Sequence, residues 1–135
     1  MKIEEHEKAY QEHKRSIDRI IEEGIEENQR NLAYNISQGS VELFAIFLHR
    51  FNLLHSSGDQ IDHRIFKSKN LVEKKLGFNF PQKSRILELM KNIEEERNAL
   101  CYGSRKPKSR IEKIILVFNK LRKIINKEIE NAGKK

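Results

Sequence analysis

Residues 29–55 read QRNLAYNISQGSVELFAIFLHRFNLLH and form the most apolar part of the chain. Leu32, Ile36, Ser40, Leu43, Phe47, Phe51 and Leu54 step by four or three throughout, which is the spacing of one face of an α-helix. Phe44 and Leu48 widen that stripe, so the helix predicted over about Gln29 to His55 is a central one. Ala33, Ser37 and Ser40 are small enough to let a neighbouring helix approach closely, and Ser56-Ser57-Gly58-Asp59 is expected to end the segment.

Upstream, an acidic helix is predicted from about Glu4 to Glu23, with Tyr10, Ile17, Ile20, Ile21 and Ile25 inward and a break at Gly24 and Asn28. Downstream, a third helix is expected over about Asp62 to Leu76 on Ile65, Val72 and Leu76, with Gly77 as its stop. Asn79-Phe80-Pro81 opens a fourth, since proline is tolerated in a first turn. It runs to about Tyr102 with Ile86, Leu89, Met90, Ile93 and Leu100 inward, and Gly103 ends it. After a basic loop, Ser109-Arg110-Ile111-Glu112 has capping-box spacing, and Ile111, Ile114, Ile115, Phe118, Leu121, Ile125 and Ile129 mark a fifth helix. With no repeat and no interior linker, residues 1–135 are expected to form one all-α domain, an antiparallel up-and-down bundle of four long helices and a short one.

Composition agrees. Two prolines and six glycines in 135 residues supply too few turns for a sandwich or barrel. No run of 18 apolar residues occurs, which excludes a membrane span, and the acidic start Met1-Lys2-Ile3-Glu4-Glu5 is not a signal peptide. A single cysteine, Cys101, excludes an internal disulfide and fits a reducing cytoplasm. Lys, Glu and Ile occur 17 times each. That bias fits either heat adaptation or an AT-rich genome.

The formal charge of +7 is unevenly spread. Residues 1–28 carry five basic and nine acidic groups, whereas residues 61–135 carry 20 and nine. Arg97 to Lys127 holds ten basic residues and one acid, Glu112. A solvated helix face is one reading of such a run. The other is a phosphate-binding surface, centred on Arg105, Lys106, Lys108 and Arg110, whose cations displace counterions from nucleic acid.

The inward stripe of the fourth helix continues from Ile86, Met90 and Ile93 to Arg97 and then Leu100. A guanidinium is thus expected on the face that meets protein, where it needs a carboxylate such as Glu94, Glu42 or Glu73, a set of carbonyls, or a partner chain.

Three stretches together resemble the HEPN domain family (higher eukaryotes and prokaryotes nucleotide-binding). The acidic first helix leads through Glu22-Glu23-Gly24 into the long apolar one. Asp62-His63-Arg64-Ile65-Phe66-Lys67-Ser68 is similar to the start of the family's third helix. Arg97-Asn98-Ala99-Leu100-Cys101-Tyr102 is similar to its late signature. The resemblance covers nearly the whole chain with loose motifs. It implies a small antiparallel helical bundle, a symmetric homodimer, no cofactor, and a metal-independent endoribonuclease acting in a toxin–antitoxin or defence setting.

In active members of that family an arginine and a polar neighbour are followed, after four to six positions, by a histidine, and residues of two protomers meet at the dimer interface. Arg97 and Asn98 match, but the permitted positions for the histidine hold Tyr102, Gly103 and Ser104. The catalytic set implied here is therefore Arg97, Asn98 and Tyr102. A tyrosine with an ordinary pKa near 10 lacks the easy proton exchange of histidine near neutrality. This departure opens a second reading, a non-catalytic homodimeric module that binds RNA or a partner protein such as a nucleotidyltransferase. In some members that partner modifies a tyrosine two positions beyond the histidine. Ser104 occupies that place here.

Other candidates carry less. His6 and His13 are seven apart on one helical face without a further ligand, so no metal site is expected. His63 sits where it could approach the Arg97 helix. Cys101, without a companion, reads as a small buried apolar residue, and Asn35-Ile36-Ser37 is a chance match to a glycosylation sequon.

Overall fold

Glycine at 24 ends the first helix because the chain there adopts φ +139°, a conformation side chains rarely take. Its amide closes the last turn on the Ile20 carbonyl, and Asn28 donates back to the Gly24 carbonyl at 2.9 Å. The computed structural model, which describes residues 2–54 and 61–133, places α1 at Ile3–Glu23 and α2 at Gln29–Arg50. A 3-10 helix at His63–Lys67 leads to α3 at Lys69–Lys75. Then come α4 at Lys83–Cys101 and α5 at Lys108–Gly133. The described residues are helical in five α-helices and contain no strand.

α2 is central, as its stripe predicts: it packs against α1, α4, α5 and the 3-10 helix. Leu32, Ala33, Ile36, Ser40, Leu43, Phe44, Phe47 and Leu48 are buried. Six of the seven phenylalanines form one ring cluster. Phe44 meets Phe47, Phe66 and Phe80, while Phe51 packs at a tilt on Phe47 and Phe78 on Phe80. α1 packs closely at Gly39, where an added Cβ would stand 3.3 Å from His13 Cβ. Ser37 and Ser40 are buried against other neighbours, and the Ser40 hydroxyl has no hydrogen-bond partner.

Several local expectations are corrected. α2 ends at Arg50, because Asn52 takes a left-handed conformation (φ 58°). The Leu53 amide then bonds to Leu48 O at 2.8 Å and the Asn52 amide to His49 O at 3.0 Å, the hydrogen bonds of a Schellman turn. The expected stop at Ser56–Asp59 lies outside the described residues.

The third helix is two pieces, because both Asp62 and Ser68 cap. Asp62 accepts from the Arg64 amide at 2.8 Å and Ser68 from the Leu71 amide at 3.3 Å. α4 starts after Pro81, not at it, since Gln82 turns left-handed (φ 60°) and its carbonyl takes the Ile86 amide. α5 starts at Lys108. The Pro107 carbonyl accepts from Arg110 and Ile111, which puts Ser109 inside the first turn instead of at a capping box. Ile21 is exposed, and Cys101 is half-buried instead of fully enclosed. No helix among the described residues is long and apolar enough to cross a membrane.

Candidate functional site

Glu94, Arg97 and Cys101 stand at i, i+3 and i+7 on α4, hence on one face over two turns. Arg97 is 9% exposed, so the stripe is right to turn it inward. Its Nη1 donates to Ser37 Oγ on α2 at 3.1 Å, and its guanidinium carbon lies 5.5 Å from the Tyr34 ring centroid. Its Nε has no hydrogen-bond partner. None of Glu94, Glu42 and Glu73 is paired with it. Among the described residues no carboxylate lies within ion-pair distance. The guanidinium is thus nearly enclosed among Ser37, Tyr34 and Cys101, with one donor, Nε, left unsatisfied.

The two other acids on this face and the next are engaged elsewhere. Glu94, 2% exposed, receives His63 Nδ1 at 2.8 and 2.9 Å. Glu42 holds His6 Nδ1 at 2.6 Å, beside the His49 ring, while His13 bonds Asn35 at 2.9 Å. His6 and His13 thus serve different neighbours and do not converge. Cys101 lies close enough to Arg97 to feel its charge. Burial pushes the Cys101 thiol up, and Arg97 opposes that shift.

Tyr34, on α2 over Arg97, is 46% exposed and marks the open side of this face. Tyr102 follows the end of α4 with extended backbone and is 67% exposed. Asn98 accepts the Tyr102 amide at 3.3 Å. Among the described residues Tyr102 makes no side-chain hydrogen bond and no ring contact, so nothing ties its phenol to Arg97.

The basic loop is pinned to the start of α2. Buried Gln29 donates to Leu100 O at 2.9 Å and accepts from the Lys106 amide at 2.8 Å, and Arg105 donates to Glu26 O at 2.9 Å. Lys108 is exposed. Arg110 differs from the other three. It forks onto Glu96 at 2.9 and 3.4 Å with Lys113 at 3.8 Å, so its charge is answered within the fold. The acid that quenches it lies one residue before the run counted as nearly acid-free. Further along, Lys113, Lys120, Lys123 and Lys127 recur by three, four and seven along α5 and are exposed. They belong to the Arg97–Lys127 basic run, although the phosphate-binding surface expected from the sequence centres on the loop.

No family model, no curated protein and no solved structure matches this chain.

Proposed function

We propose that this chain is an RNA-directed, HEPN-like helical bundle in which Arg97 grips a phosphodiester and the loop cations Arg105, Lys106 and Lys108 hold the flanking backbone. In the fuller form of this reading the protein is a metal-independent endoribonuclease working as a homodimer, with Asn98 and Tyr102 near the bound strand. One observation carries it: a guanidinium nine-tenths buried, without a carboxylate, whose Nε is unsatisfied. Arginine presents a planar fork matched to phosphate, and such an anion would restore the missing hydrogen bonds.

The test is binding of a labelled single-stranded RNA in EDTA. Arg97→Met is expected to weaken binding about tenfold to a hundredfold, the range for losing a charge-assisted hydrogen bond, with Arg97→Lys in between. Equal affinity for wild type and Arg97→Met would overturn the proposal. Sedimentation of the same protein checks the homodimer. A partner protein, such as a nucleotidyltransferase, is the outcome to pursue if RNA does not bind.

A further inference from the structure

Histidine is absent from the position where the signature resemblance calls for it, yet the fold brings one to α4 by another route. His63 opens the 3-10 helix, which packs on α4 and α2. Its Nδ1 faces both oxygens of the buried Glu94 carboxylate. Its Nε2 stands 3.9 Å from Asp62 Oδ1, beyond hydrogen-bond reach, and the side chain is 20% exposed. Glu94 is one turn before Arg97 on the same face, which puts their Cβ atoms about 5–6 Å apart.

These are the parts of a proton-transferring pair. A carboxylate at Nδ1 fixes the tautomer with its proton on that nitrogen, leaves Nε2 as the acceptor, and stabilises the imidazolium once Nε2 is protonated. Histidine is the side chain whose ordinary pKa suits such exchange near neutrality. Arg97 follows Glu94, the partner of His63, by one helical turn.

We infer that His63, oriented by Glu94, is the general base for cleavage of an RNA phosphodiester held by Arg97. This rests on the RNA-directed reading above. His63 Nε2 takes the proton of a ribose 2′-hydroxyl. The 2′-oxygen forms a bond to phosphorus, and the bond from phosphorus to the 5′-oxygen breaks with its electron pair on that oxygen. The departing 5′-oxygen takes a proton from water, and His63 later returns its own to solvent. The products are a 2′,3′-cyclic phosphate and a 5′-hydroxyl. A strand without 2′-hydroxyls binds and is not cut. His63 is the catalytic residue in this scheme and Glu94 a positioning residue acting through it.

The experiment compares cleavage of a labelled RNA in EDTA with binding of the matching DNA oligonucleotide, for wild type, His63→Ala, His63→Asn, Glu94→Gln and Arg97→Met. His63→Asn keeps an amide donor for Glu94 where Nδ1 stands, so it guards against misfolding, which far-ultraviolet circular dichroism also reports. Both His63 variants are expected to lose about 10²–10⁴-fold in cleavage rate while binding DNA as wild type does. Added imidazole should restore part of the rate to His63→Ala. Glu94→Gln should lower kcat with KM unchanged. Arg97→Met should lose binding as well.

Wild-type cleavage that survives in folded His63→Asn to within about threefold would overturn the inference and leave the RNA reading standing. Wild type that binds RNA without cutting it would do the same. Absence of binding by wild type would remove both.

Discussion

The Arg97 guanidinium donates to the hydroxyl of Ser37 at 3.1 Å, where a buried arginine ordinarily meets a carboxylate. A neutral hydroxyl orients the fork without cancelling its charge, so the field of Arg97 reaches its neighbours. Cys101, one turn on, reports that field. Burial raises the thiol pKa while Arg97 draws it down. Removing the cation in Arg97→Met therefore raises the pKa further and reduces the thiolate fraction at a given pH. Alkylation of Cys101 by iodoacetamide at pH 7.5 is expected to be slow in wild type and several-fold slower in the variant. A faster reaction would show that Arg97 shields the thiol more than it activates it.

Asp62 gives a pH prediction. Hydrogen bonds from the side chain and amide of Arg64 hold its carboxyl down to about 2. A depressed folded-state pKa stabilises the fold above the unfolded value near 4 and loses that contribution as pH falls toward about 2. The site is half-exposed, so the effect is modest. The difference in thermal midpoint between wild type and Asp62→Asn should be positive at pH 7 and shrink to nothing near pH 2. A constant difference across that window would contradict the cap.

Phe44 is fully buried and touches three other rings. Phe44→Ala is expected to destabilise by about 3–5 kcal/mol, measured by urea unfolding. A cost under about 1 kcal/mol would mean that the cluster collapses freely into the space.

Among the loop cations, Arg110 should behave unlike the rest. Replacing Arg105, Lys106 and Lys108 together by glutamine should reduce the slope of log affinity against log salt by about 2, at roughly 0.7 per single-strand phosphate contact. Arg110→Gln should leave that slope nearly unchanged and lower stability instead, because it strips buried Glu96 of its bidentate partner. Equal slopes for the two variants would reverse this assignment.

Gln29→Leu removes the donor to Leu100 O and the acceptor for the Lys106 amide. Two stranded backbone groups are expected to cost about 2–4 kcal/mol, and hydrogen exchange at the Lys106 amide should accelerate first.

Much of this fold was legible because long amphipathic helices announce themselves by period. The stripes of α4 and α5 run as read and that of α2 as far as Leu48, and Arg97 was visible as an interruption of one of them. The short elements were harder. Two caps six residues apart split the Asp62–Leu76 segment, and cap chemistry decided what periodicity had smoothed over. Asn52 could have marked the end of α2, since asparagine takes left-handed conformations more readily than most residues. Phe66 and Phe80 follow no period, so their place in the ring cluster follows only from three dimensions. The union of His63 with Glu94 spans 31 residues. Nothing local predicts such a pairing, although the position of His63 had marked it for notice.

The segment from Ile61 to Gln82 has no helix longer than seven residues, and α3 buries no residue at all. It is held mainly by Ile65, Phe66, Leu76 and Phe80 against helices that do not need it for their own pairing. A segment built of such short helices is expected to behave as a separate foldon and to open at lower free energy than the long helices. His63 rides on that foldon while Glu94 stays on the frame. Warming would therefore part His63 from Glu94 before the bundle melts, giving the molecule a local opening temperature distinct from its denaturation temperature.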